Sequence, residues 1–216
     1  MKKVIFWFVV AALTGAICGY YSEQILQQLK QLPFHNASVY STENEALTAV
    51  LEQQQVQRIG WDDLLPEQDK AILNHYQNDR PDDPTEQILR SIQASNDERY
   101  LSALYSMNTV PALADRLISL PGYLVPIELA ENRMVSRMFL VPYFGACIHY
   151  PPPAPNQMVY IQLPSPIQLP DINEAYMATG VLNVSLYEDL LGTSAYSLNL
   201  IQLTLYSGEP DDVRQH

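Results

Sequence analysis

Basic residues are scarce in this chain: 12 Lys+Arg stand against 24 Asp+Glu, a formal charge of −12. A phosphate backbone is gripped by clustered Lys and Arg, and no such cluster occurs, so nucleic acid is not an expected partner. Cysteine is scarcer still, with Cys18 close to the N-terminus and Cys147 far from it. If the first two dozen residues are a leader, Cys147 is alone in the remainder and no internal disulfide can form. A lone cysteine then has three uses: a small buried hydrophobe, a metal ligand, or a thiol that pairs with another molecule. Glycine is outnumbered by proline, 8 against 16, and the prolines gather late in the chain, where they stiffen loops. What remains is apolar: 47% of the 216 residues are hydrophobic, enough for one ordinary core and one main domain.

Lys2 and Lys3 precede an uncharged run from Val4 to Tyr21. Two basic residues before such a run hold the amino end in the cytoplasm and send the rest of the chain across the membrane. The run has the length of a membrane anchor, while Thr14 and Ala16 offer the small residues of a cleavage site. Both fates give an inner-membrane-anchored or periplasmic protein. Gly15-Ala16-Ile17 before Cys18 is a poor lipid-attachment pattern, because a bulky residue adjoins the cysteine.

The chain divides into a leader or anchor (1–22), a helical stalk and linker (23–57), one β-rich domain with a helical N-terminal part (58–208) and an acidic tail (209–216). Residues 33–41 read as irregular, and Thr42 with Glu45 reads as a capping box opening a helix. Trp61 is a core anchor before a turn, and Pro66 precedes a helix over 67–76. Asp83-Pro84-Thr85-Glu86 opens another, whose Ile88, Leu89 and Ile92 share a face. From about Val110 the apolar period falls to two, predicting strands over 117–128, 134–144, 158–163, 178–187 and 195–206, the first broken at Pro121-Gly122. Five such strands predict a mostly β fold with N-terminal helices: a small OB-like five-stranded β-barrel preceded by a membrane anchor and a helical region.

Residues 139–157, Phe-Leu-Val-Pro-Tyr-Phe-Gly-Ala-Cys-Ile-His-Tyr-Pro-Pro-Pro-Ala-Pro-Asn-Gln, form a long and unusual block. Together with Leu120-Pro121-Gly122-Tyr123-Leu124-Val125-Pro126, Trp61, Leu65-Pro66, Gly180-Val181-Leu182 and Ala195-Tyr196, it resembles the pattern of a bacterial family of unknown function, over roughly residues 58–206. Members are exported proteins, many of them small lipoproteins, and some are encoded beside an ABC transporter in zinc-responsive loci. The resemblance implies an envelope accessory role, including one in metal handling; with the anchor and the rigid proline loop it leads to the expectation of a non-enzymatic protein whose partner is an inner-membrane or envelope protein such as an ABC transporter.

Within the block, Cys147 and His149 are two apart, so a continuing strand would project both side chains from one face. Thiolate and imidazole suit zinc or copper, and the alternative reading is a periplasmic metal chaperone or sensor; a closed zinc site needs four donors, and the pair supplies two. No catalytic residue is assigned. Pro151, Pro152, Pro153 and Pro155 remove four backbone donors in five residues, which makes the loop rigid in advance of any contact. Tyr143, Pro151, Pro152, Pro153, Asn156 and Gln157 are the expected partner-binding residues, and a stiff crossover between strands is the structural alternative.

Overall fold

In the computed structural model, the described residues are 38–77, 83–128, 131–146, 153–208 and 210. The run from Val4 to Tyr21 lies outside them. Among the described residues no helix is long and apolar enough to cross a membrane.

The fold is mostly β sheet with a few helices. Strand β1 (Ser38–Ser41) is followed by α1 (Glu45–Gln53), β2 (Gln57–Arg58), a 3₁₀ turn (Trp61–Leu64), α2 (Glu67–Gln77), α3 (Pro84–Asn96) and α4 (Glu98–Leu104). Then come β3 (Arg116–Pro126), β4 (Met134–Val141), a 3₁₀ turn (Pro155–Gln157), β5 (Val159–Gln168), β6 (Ala175–Asp189) and β7 (Gly192–Leu205). Residues 38–41, read from sequence as irregular, instead pair antiparallel with β7, so part of the expected stalk and linker belongs to the sheet.

Five strands pair in a circuit. β3 bonds antiparallel to β4, β4 to β5, β5 runs parallel to β7, and β7 bonds antiparallel to β6, which returns antiparallel to β3. Each has two neighbours within the circuit, and β3 and β7 gain a third in β2 and β1, so the inward residues are covered from several directions: Ile118, Leu120 and Leu124 of β3, Met138 and Leu140 of β4, Val159 and Ile161 of β5, Leu182 of β6, and Tyr196 and Leu198 of β7. The expected break at Pro121-Gly122 is absent, since β3 holds an unbroken register with β6 from Arg116 to Tyr123. Pro121 loses a donor there, yet its carbonyl accepts the Trp61 indole N–H at 2.8 Å. Gly122 is required for a different reason: a Cβ would sit 2.7 Å from Leu140 Cγ and 2.8 Å from the Val141 carbonyl oxygen.

Helix starts follow short-range chemistry. Asp83 caps α3 by accepting from the Glu86 N–H at 3.2 Å, with Pro84 in the first turn, as the sequence indicated. For α1 the cap is Asn44 rather than Thr42: Asn44 Oδ1 accepts from Ala46 N at 3.0 Å, and Thr42 Oγ1 accepts from Asn44 N at 3.2 Å. The helical segment meets the sheet at Tyr196, whose hydroxyl donates to the Leu64 carbonyl at 3.0 Å and accepts from Val110 N at 2.7 Å. Trp61 is 2% exposed, a core anchor as expected.

Candidate functional site

Cys147, His149, Pro151 and Pro152 lie outside the described residues, so the structure does not locate the metal pair. Among the described residues no group of three or more His, Cys, Asp or Glu is placed to hold a metal ion. The remaining block residues separate into two groups. Tyr143 and Pro153 are half-buried, and Asn156 and Gln157 are fully interior.

Asn156 and Gln157 therefore do not present their side chains to a partner; they bind the helical segment to the sheet. Gln157 Nε2 donates to the Trp61 carbonyl at 3.0 Å. Asn156 Nδ2 donates to the Asn108 carbonyl at 3.0 Å and to Asp69 Oδ2 at 3.3 Å, and the same carboxylate oxygen accepts from the Ser106 hydroxyl at 2.5 Å. Asp69 is buried in the first turn of α2, where the unpaired N–H groups of the helix start favour a negative charge. Asn156 Oδ1 is buried and takes no hydrogen bond among the described residues. The buried carboxyl of Asp69 and the buried amide of Asn156, with the Ser106 hydroxyl between α4 and β3, form a tie between the helical segment and the sheet.

The second group is a satellite apolar cluster distinct from the main core. Phe139 and Val141 of β4, Tyr160 of β5, Ala146 and Met158 are buried in it, with Tyr123, Val125, Ile127, Tyr143 and Tyr187 packed around them. Alternation explains it, because Met138 and Leu140 face the main core while Phe139 and Val141 face the other way. Tyr160 and Tyr187 stack at 3.6 Å with ring planes 11° apart, and Phe139 meets both edge-on at 6.2 and 5.9 Å. At the rim, Tyr123 meets Phe144 edge-on at 5.9 Å, and Phe144 is 52% exposed. Arg137 closes the cluster: its Nε donates to Glu128 Oε1 at 3.0 Å, its second N–H pairs with the other carboxylate oxygen, and Nη1 donates to the Tyr187 hydroxyl at 3.1 Å. Arg137 holds Glu128 below the usual carboxylate range, and burial together with the hydrogen bond to Tyr187 pushes the Tyr160 phenol up to about 12. Of these residues, Tyr143 alone was among the expected partner-binding residues, while Tyr123, Phe139 and Phe144 stood in the motifs that carry the family resemblance. The available signal was Arg137 and Phe139 two positions apart in β4, on the face opposite Met138 and Leu140, with Tyr160 opposite Phe139 in register.

These features define a mostly β protein whose helical segment is tied in through its Pro-Asn-Gln turn and whose sheet carries a separate aromatic face. Residues 61–205 match the model of a family described as "Protein of unknown function (DUF3299)", and the chain belongs to that family. The crystal structure of a DUF3299 family protein from Pseudomonas aeruginosa PAO1 is similar, with 28% identity and a TM-score of 0.50 over 72% of this chain and 99% of that one. No curated protein matches.

Proposed function

We propose that this chain is a non-enzymatic envelope accessory protein whose β domain docks on a membrane transporter or another envelope protein. The observation that supports this reading best is the aromatic cluster around Phe139, Tyr160 and Tyr187, which ends in the half-exposed ring of Phe144. Partner-facing surfaces are enriched in Tyr, Phe, Met and Arg over Lys and Glu, and the accessible rim over the buried Phe139, Met158 and Tyr160 is built from Tyr123, Tyr143, Phe144 and Arg137. The address is supported by Lys2, Lys3 and the apolar run that follows. The fold reading is an OB-like barrel, supported by the closed circuit of five pairings with β5 and β7 as its one parallel pair.

The test places a photo-crosslinking residue at position 144 of the full chain in bacterial cells and identifies the adducts from the membrane fraction. The docking reading expects one discrete adduct with an integral envelope protein, diminished by Tyr143→Ala; adducts spread over many abundant proteins, with the same yield in the variant, would sink it. A second arm titrates the purified chain with Zn²⁺ and Cu⁺ beside Cys147→Ser and His149→Ala. Near-stoichiometric binding lost in both variants would replace docking by metal handling.

A further inference from the structure

Helix α3 packs with its less apolar side inward. Ala94 is buried and Arg90 half-buried, whereas Ile88, Leu89 and Ile92 are 62%, 55% and 54% exposed. At 100° per residue Ala94 lies nearly opposite Ile92, so the apolar stripe points away from the rest of the domain. A helix of 13 residues is marginal without tertiary cover, and here the side that could supply cover faces water. The stripe reads Thr85, Leu89, Ile92, Asn96, with Ile88 beside it: polar, apolar, apolar, polar. That pattern is its own complement when reversed. An antiparallel helix related by a two-fold axis between residues 90 and 91 would set Leu89 against Ile92, Ile88 against Gln93 and Thr85 against Asn96. Self-complementarity of this kind is what an isologous contact requires.

We propose that α3 pairs antiparallel with α3 of a second copy of this chain. A lipid surface fits less well: it takes amphipathic helices rich in Lys and Arg, and α3 has one basic residue, Arg90. The shallow groove beside the stripe, lined by Tyr76, Ile92, Asn96, Asp97 and Arg99, is continuous with it and widens the contact surface. A face about 20 Å long presents on the order of 600 Å² per copy, somewhat under the roughly 800 Å² per partner of a standard complex, which places the dimer in the weak, reversible range. The helix ends are acidic, with Asp83, Glu86 and Glu98 against Arg90 and the Asp97–Arg99 ion pair. Two such ends repel, so added salt strengthens this apolar contact and weakens any alternative with a basic partner.

The experiment expresses two differently tagged full-length copies in one cell, with the photo-crosslinking residue at position 89. Irradiation is expected to give an adduct of twice the chain mass carrying both tags. Ile92→Glu should reduce its yield at least tenfold, with accumulation and protease resistance unchanged because Ile92 is exposed. Placing the crosslinker at position 144 should give no doubly tagged adduct. Absence of the mixed adduct at position 89, or an equal yield in Ile92→Glu, overturns the proposal. Either result leaves the docking reading untouched, because that reading is scored at position 144 on a different protein.

Discussion

Asp69 sits in the interior with two neutral donors, the Ser106 hydroxyl and the Asn156 amide, and the start of α2 behind it. Asp69→Ala removes the shared acceptor and leaves both donors short of a partner, so it should cost about 2–4 kcal/mol in urea unfolding. Asp69→Asn keeps the shape and one acceptor while losing the charge at the helix start, and a loss of about 1–2 kcal/mol is expected. If both variants lose the same amount, the acceptor that Asp69→Asn retains contributes nothing. Tyr160 supplies a pH test. Its folded pKa, about 12, lies above the ordinary value of 10.0, so its contribution is complete below pH 10 and is lost as pH rises towards 12. Alkaline unfolding followed by circular dichroism should therefore begin lower in the wild type than in Tyr160→Phe once their neutral-pH stabilities are aligned. This residue scale was the least legible in the sequence. Asn156 and Gln157 are polar types beside a proline run, which reads as surface; their burial depends on Asp69, 87 residues earlier than Asn156, and no local spacing announces such a partner.

Elements were better marked, because strand periodicity survives even where it slips. In β7 the leucines fall on even numbers at 198 and 200 and on odd numbers at 203 and 205, and the parity change coincides with a register shift: Gly180 faces Leu200 and Thr179 faces Gln202, leaving Ile201 as the extra residue of a bulge. Gly180 permits it, since a Cβ there would collide with the Asn199 carbonyl oxygen. Gly180→Ala should thus destabilise by about 3 kcal/mol or more, measured by thermal melting, whereas Gly60→Ala, where a Cβ meets nothing closer than 3.9 Å, should cost much less. The third strand was read as ending at Leu163, and it runs to Gln168. Pro164 and Pro166 obscured the continuation, and the structure accommodates them in the shift between Arg137 opposite Gln162 and Val135 opposite Ile167. The short α4 went unread, its cap Asp97 standing one residue after α3 ends.

At the scale of the whole domain, cohesion is unevenly spread, and exchange of backbone amides should show it. Residues of β3, β6 and β7 sit between two paired neighbours over a shared core, so their amides exchange only when the circuit opens. Helix α3 buries Ala94 and leaves its apolar stripe in water, so local opening there costs little in an isolated chain. Hydrogen–deuterium exchange on dilute protein should therefore label α3 at least tenfold faster than β6, with α2 between them because Leu73 packs with Leu65 and Ala103. Protection of α3 equal to that of β6 in dilute protein would mean that the helix is held from within its own chain. Protection that rises with protein concentration in α3 and nowhere in β6 would place the missing cover on a second molecule, because only an intermolecular contact makes local stability depend on concentration.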